Sequence, residues 1–174
     1  MKALSKKILT ACLALMIAIA MAVPAFATDY EGLTYRPYNV GFNSLNLLNV
    51  FRNEGDPVAE GKNLILYETT SAGVDQLFNE VYVSVQGMNG YVIQLQAQPD
   101  YAVNRSSNTG SAILYSWNAA GNIADSAFER IDRYDQPAFR LKYGASKDQY
   151  LCYASDSPWA RVYFSKSGLN RWDC

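Results

Sequence analysis

The sequence contains no histidine, which removes the imidazole general base, the Ser-His-Asp and Cys-His nucleophile systems and every histidine-containing metal site. It has no excess of basic residues either. Fifteen Lys and Arg stand against 16 Asp and Glu in 174 residues, with no basic run, so the chain lacks the electrostatic footprint for nucleic acid or an anionic membrane surface. Beyond Val23 no apolar stretch approaches the roughly 20 residues that span a bilayer, and stable membrane insertion is not expected. No long stretch has helical spacing, and no cofactor or metal site is expected.

The N-terminus has its own pattern. Lys2, Lys6 and Lys7 form a basic region, residues 8–23 an apolar core, and Ala25-Phe26-Ala27 a small-x-small site after Pro24, which together read as a secretory signal peptide spanning residues 1–27. Cleavage after Ala27 predicts a secreted, single-domain chain of residues 28–174 with 12 basic and 16 acidic side chains, a net charge of −4. Leu9-Thr10-Ala11-Cys12 superficially resembles a lipoprotein acylation site, but only residues 8–11 would serve as its apolar core, shorter than the roughly 7–15 residues a signal needs. That leaves Cys152 and Cys174, for which an intramolecular disulfide is the simplest expectation in an oxidising compartment, with intermolecular pairing as the alternative.

What the chain does contain is 13 Tyr and many short runs of Val, Ile, Leu and Tyr separated by Gly, Asn, Asp, Ser and Pro. Twelve strands are predicted, near residues 33–36, 47–51, 64–67, 78–83, 91–97, 101–103, 113–115, 128–131, 139–143, 150–153, 162–164 and 171–173. An internal period orders them. Tyr67, Tyr115 and Tyr163 end similar runs and lie 48 residues apart, and the same shift superposes Tyr91 on Phe139, Ile93 on Leu141, Val103 on Leu151 and Asn104 on Cys152. The first copy matches with an insertion at residues 54–62, which sets Leu48-Asn49 against Val103-Asn104. The repeats cover approximately residues 32–84, 85–133 and 134–174. A four-stranded unit is too small to bury its apolar face alone, so three units sharing one core and closing into a barrel are expected.

Each repeat closes on a polar residue, a spacer and an aromatic: Gln76-Leu77-Phe78, Ser126-Ala127-Phe128 and Asn170-Arg171-Trp172. With the period, these degenerate Gln-x-Trp elements resemble those of the ricin B-type β-trefoil lectin family across nearly all of residues 32–174. The resemblance implies an all-β fold, a β-trefoil of three four-stranded repeats with pseudo-threefold symmetry, with Phe78, Phe128 and Trp172 in one central layer. It also implies non-catalytic binding of glycans or a polysaccharide. Candidate carbohydrate-binding residues carried over this way are Asn49, Tyr67 and Asp75, with Gln76 behind them, in the first repeat, and Asn104, Tyr115 and Asp125 in the second. The third repeat offers Cys152, Tyr163 and Leu169, which cannot bind hydroxyls. The family's Asp on the second strand is Asn in both usable repeats, and a neutral amide binds hydroxyls more weakly than a carboxylate.

The alternative is a secreted β-trefoil that binds a protein partner or acts as an inhibitor, which the insertion at residues 54–62 favours slightly. Glu129, Asp132 and Asp135 are the nearest approach to the paired acids of glycoside hydrolysis and read better as a solvated loop. Asn104-Arg105-Ser106 matches a glycosylation sequon. Trp117 and Trp159 lie outside the expected core layer and read as exposed binding aromatics or hairpin caps, Trp159 more as a cap because it follows Pro158.

Overall fold

A computed structural model describes residues 36–37, 39–40, 46–53, 56–68, 73–119, 121–133, 136–167, 170 and 172–173, all within one compact unit, Thr34–Cys174. The signal-peptide segment, Asp135, Leu169 and Cys174 lie outside the described residues.

The strands are β1 (Arg36–Pro37), β2 (Asn39–Val40), β3 (Asn46–Val50), β4 (Leu64–Glu68), β5 (Leu77–Val85), β6 (Met88–Leu95), β7 (Gln98–Arg105), β8 (Ala112–Ser116), β9 (Phe128–Arg133), β10 (Gln136–Leu141), β11 (Tyr150–Tyr153), β12 (Val162–Ser165) and β13 (Trp172–Asp173). Among the described residues the other regular element is a 3-10 turn, Asn122–Asp125. Eleven of the twelve expected strands occur with boundaries moved by a few residues. Of the first, residues 33–35 lie outside the described residues and Arg36 begins β1, where Pro37 denies the ladder an N–H; β2 follows.

The first and last strands of each repeat build a barrel. Antiparallel pairing runs from β1 to β5, β6, β9 and β10, β13 packs against β10, and β13 pairs with β2, which closes the ring. Gly90 allows the crossing of β6 and β9, because a Cβ there would sit 2.8 Å from the Phe128 carbonyl oxygen. The middle strands form three hairpins, β3–β4, β7–β8 and β11–β12. Isolated bridges link them in a cycle: Asn63 with Ile113, Ser111 with Tyr163, and Arg161 with Ile65. The same cycle recurs in hydrogen bonds, with the amides of Leu114, Phe164 and Leu66 donating to the carbonyls of Lys62, Gly110 and Ala160 at 2.8–2.9 Å. This is a β-trefoil with a pseudo-threefold axis.

The cycle also corrects the period. It equates Ile65 with Ile113 and Tyr163, so the position of Tyr67 and Tyr115 falls on Ser165 in the third repeat. β11 keeps the 48-residue shift: Asn49 pairs Ile65, Asn104 pairs Ile113 and Cys152 pairs Tyr163. Two extra residues in the β11–β12 turn carry β12 on by two, and Tyr163 is therefore not the mate of Tyr67 and Tyr115. A shift of two preserves which face each side chain takes, which hides the slip from the sequence pattern.

Alternation fills the core. Leu64 and Leu66 of β4, Ala112 and Leu114 of β8, and Val162 and Phe164 of β12 point inward, while Tyr67 and Tyr115 point out. Phe78, Phe128 and Trp172 share the main cluster with no exposed surface, as expected. Phe128 stacks with Phe164 at 6.0 Å and meets Phe139 edge to face. A second, smaller cluster joins the β5–β6 hairpin to the 3-10 turn through Val83, Val92, Ile123 and Trp117. Trp117 is thus buried rather than exposed, because its indole N–H reaches the Pro99 carbonyl at 2.8 Å.

The expected Cys152–Cys174 disulfide is not shown. Cys152 is a free, fully buried thiol whose Sγ donates to the Tyr150 carbonyl at 3.3 Å, and burial pushes its pKa up. Such a thiol is unreactive.

Candidate functional site

The Gln-x-Trp-like elements hold the hairpins onto the barrel. Gln76 is buried, with Oε1 accepting from the Gly73 amide at 3.2 Å. Ser126 accepts through Oγ from Asn104 Nδ2 at 2.9 Å, and Asn170 accepts through Oδ1 from the Tyr153 amide at 3.0 Å. One polar side chain in each repeat thus satisfies a donor from the turn or second strand.

The structure brings each carried-over triplet together. Asn49, Tyr67 and Asp75 line one cleft of about 360 Å³, and Asn104, Tyr115 and Asp125 line another of about 280 Å³. In the first, Tyr67 is 36% exposed, and Asn49 lies two pairings away across the β3–β4 hairpin with Nδ2 donating to the Val50 carbonyl at 2.8 Å. Asp75 is fixed from below. Its Oδ2 takes the Arg52 Nε–H at 3.1 Å, and a Cβ on Gly73 would meet its Oδ1 at 2.8 Å, so glycine leaves that carboxylate its place.

In the second cleft Asn104 is 5% exposed, and its Nδ2 donates to both Ser126 Oγ (2.9 Å) and the Asn122 carbonyl (3.3 Å). With both donors engaged, what remains for a ligand is the acceptor Oδ1. Asp125 ends the 3-10 turn, and burial raises its pKa while the Arg105 charge in the same cleft lowers it. Each cleft therefore offers a half-exposed phenol face, an amide oxygen and a carboxylate held by the fold. The third repeat offers a buried thiol and Ser165 in place of these groups.

Three residues were missed or misassigned. Arg52, three positions after Asn49, gave no signal beyond its charge. Phe51 is exposed and lines the first cleft. Trp159 sits at the β11–β12 turn yet is no cap: its ring lies 4.8 Å from Tyr67 and 6.1 Å from Phe51, both edge to face, so the third repeat walls the first repeat's cleft.

Outside the clefts, Glu129, Asp132 and Glu80 are engaged structurally. Glu129 accepts from Arg140, and Arg130 bridges Glu80 and Asp132 at 2.9 and 2.7 Å. The described part of the insertion is packed down: the Gly61 amide donates to the Leu114 carbonyl at 2.7 Å, and Gln98 Nε2 to the Val58 carbonyl at 2.9 Å.

No protein-family model matches the sequence, and no curated protein matches it. Similar solved structures include a mosquitocidal holotoxin (TM-score 0.62, 14% identity, 81% of this chain and 17% of that one). A second is the lectin of Polyporus squamosus, bound to an influenza-binding epitope containing Neu5Ac (0.59, 8% identity, 83% and 49%). A third is a BEL β-trefoil (0.54, 18% identity, 82% and 93%). The chain thus spans under half of the first two proteins. At these identities the likeness shows the fold.

Proposed function

We propose that this β-trefoil is a secreted, non-catalytic carbohydrate-binding protein that takes glycans in the clefts of its first and second repeats. The observation that carries the reading is the recurrence, in two threefold-related clefts, of an outward tyrosine beside an asparagine amide and a positioned carboxylate. Sugars need an aromatic face for the apolar side of the ring and a few fixed polar groups for the hydroxyls, and each cleft supplies both. The similar lectin structure lends support. Secretion rests on the N-terminal pattern of basic region, apolar core and small-x-small site.

Both amides are partly committed to the fold, so each site is shallow and weak alone. A polymer that engages both gains avidity of about 100-fold or more over one site. The test is a glycan array probed with residues 28–174 at high density, repeated on Tyr67→Ala and Tyr115→Ala. The expected result is a signal that falls in each single variant and vanishes in the double one. Absence of any glycan signal, or a signal unchanged by both substitutions, overturns the reading.

A further inference from the structure

Trp159 stands where the first repeat uses glycine, the second repeat having Thr109 at the equivalent position. The threefold relation fixed by the inter-repeat bridges maps it onto Gly61, and the two amides make equivalent bonds: Gly61 N–H to the Leu114 carbonyl and Trp159 N–H to the Leu66 carbonyl, both at 2.7 Å. Both have positive φ, 81° for Gly61 and 68° for Trp159. Glycine accepts that conformation freely, whereas tryptophan is strained in it. Burial does not offset the strain, since Trp159 is 62% exposed. A strained, exposed indole held against the ring of Tyr67 points to contact with a ligand.

Past Trp159 the surface continues into a third cleft, also of about 280 Å³, which shares Phe51, Ile65 and Trp159 with the first and adds Asn63, Ser111 and Arg161. Asn63, Ser111 and Arg161 are threefold mates, so this floor lies near the pseudo-axis. Its electrostatics differ from those of the first cleft. There Arg52 is matched by Asp75; here, among the described residues, no carboxylate lines the cleft and no ion pair engages Arg161. Its guanidinium is oriented by a bond from Nη2 to the Thr109 carbonyl at 3.2 Å and by the Tyr163 ring, 5.8 Å from its centroid. A guanidinium has five N–H donors, and its planar fork suits a carboxylate.

From this continuity we infer that the first-repeat site runs past Trp159 and takes an acidic oligosaccharide of at least two linked residues. One residue lies in the cleft of Asn49, Tyr67 and Asp75; the next, bearing a carboxylate, lies over Arg161. The inference rests on the carbohydrate-binding reading and adds to it a ligand length and a charge.

The test uses arrayed oligosaccharides that end in uronic or sialic acids, each paired with its methyl ester so that only the charge differs. The acid is expected to bind about tenfold or more better than its ester. Arg161→Gln should abolish that preference and Arg161→Lys keep part of it. Trp159→Gly, which suits the backbone at this position, should weaken binding to acid and ester alike without lowering the melting temperature. Equal binding of acid and ester, or wild-type binding by Trp159→Gly, overturns the inference. If Tyr67→Ala loses binding while Trp159→Gly and Arg161→Gln do not, the extension fails and the basic sugar site stands. If the wild-type chain binds no glycan, both fail.

Discussion

Replacing Asn104 by aspartate restores the carboxylate that the lectin resemblance leads one to expect, yet the structure predicts damage. Asn104 Nδ2 donates to Ser126 Oγ and the Asn122 carbonyl from a position only 5% exposed. A carboxylate donates nothing: Ser126 can turn its hydroxyl around, but the Asn122 carbonyl would face another acceptor. Losing that bond, orphaning a carbonyl and burying a charge together cost about 2–4 kcal/mol at neutral pH. In a domain of this size the melting temperature falls by roughly 6–12 °C. Burial and the facing carbonyl raise the folded-state pKa of the new carboxyl above its unfolded value of about 3.9. The deficit is therefore smallest below that value, where a protonated acid can donate to the carbonyl, and it grows as the pH rises through the folded pKa. Thermal melts of wild type and Asn104→Asp at pH 7 and near pH 3.5 check this. Equal melting temperatures at neutral pH, or the same deficit at both pH values, would refute the reasoning.

Three further outcomes follow from the same geometry. Phe128→Ala removes a fully buried ring that contacts Phe139 and Phe164 and should destabilise the domain by about 3–5 kcal/mol, read as a lower urea midpoint with unchanged slope. Asp125 has a folded-state pKa raised above 3.8 by burial against the weaker pull of Arg105, so its charge opposes folding at neutral pH. Asp125→Asn should therefore melt higher than wild type at pH 7, the difference closing as the pH falls towards 3.8; a lower melting temperature at pH 7 contradicts the assignment. Asn104 engages both amide donors in the fold, so the folded fraction from a glycosylating host should carry no glycan on the Asn104-Arg105-Ser106 sequon, and an intact mass showing one would contradict the observed bonds.

The repeat was legible because it is written in side chains the core must bury. Phe78, Phe128 and Trp172, and the inward residues of β4 and β8, recur with a spacing that a shared core enforces, and the two clefts follow because their residues are tied to the same strands. The slip of β12 was not legible, since a two-residue shift keeps each side chain on its face and leaves Tyr163 outward. Trp117 was misplaced because its burial depends on the Pro99 carbonyl and on Ile123 of a short turn that periodicity cannot show. Trp159 against Tyr67 depends on how the first and third repeats meet, which no local spacing encodes.

That meeting of repeats governs when the molecule becomes competent. Asn49 and Trp159 face the same cleft, although 110 positions of chain separate them. The ring itself closes only when Trp172 and Asp173 pair with Val40 and Asn39. Contacts of such high sequence separation form late, after most of the chain entropy has been lost. Cleft one therefore lacks its Trp159 wall in any partly folded species without the third repeat, while cleft two is built from neighbouring segments. A ligand that touches both walls of cleft one holds the barrel shut, so its occupancy should slow unfolding of the whole domain rather than of one hairpin.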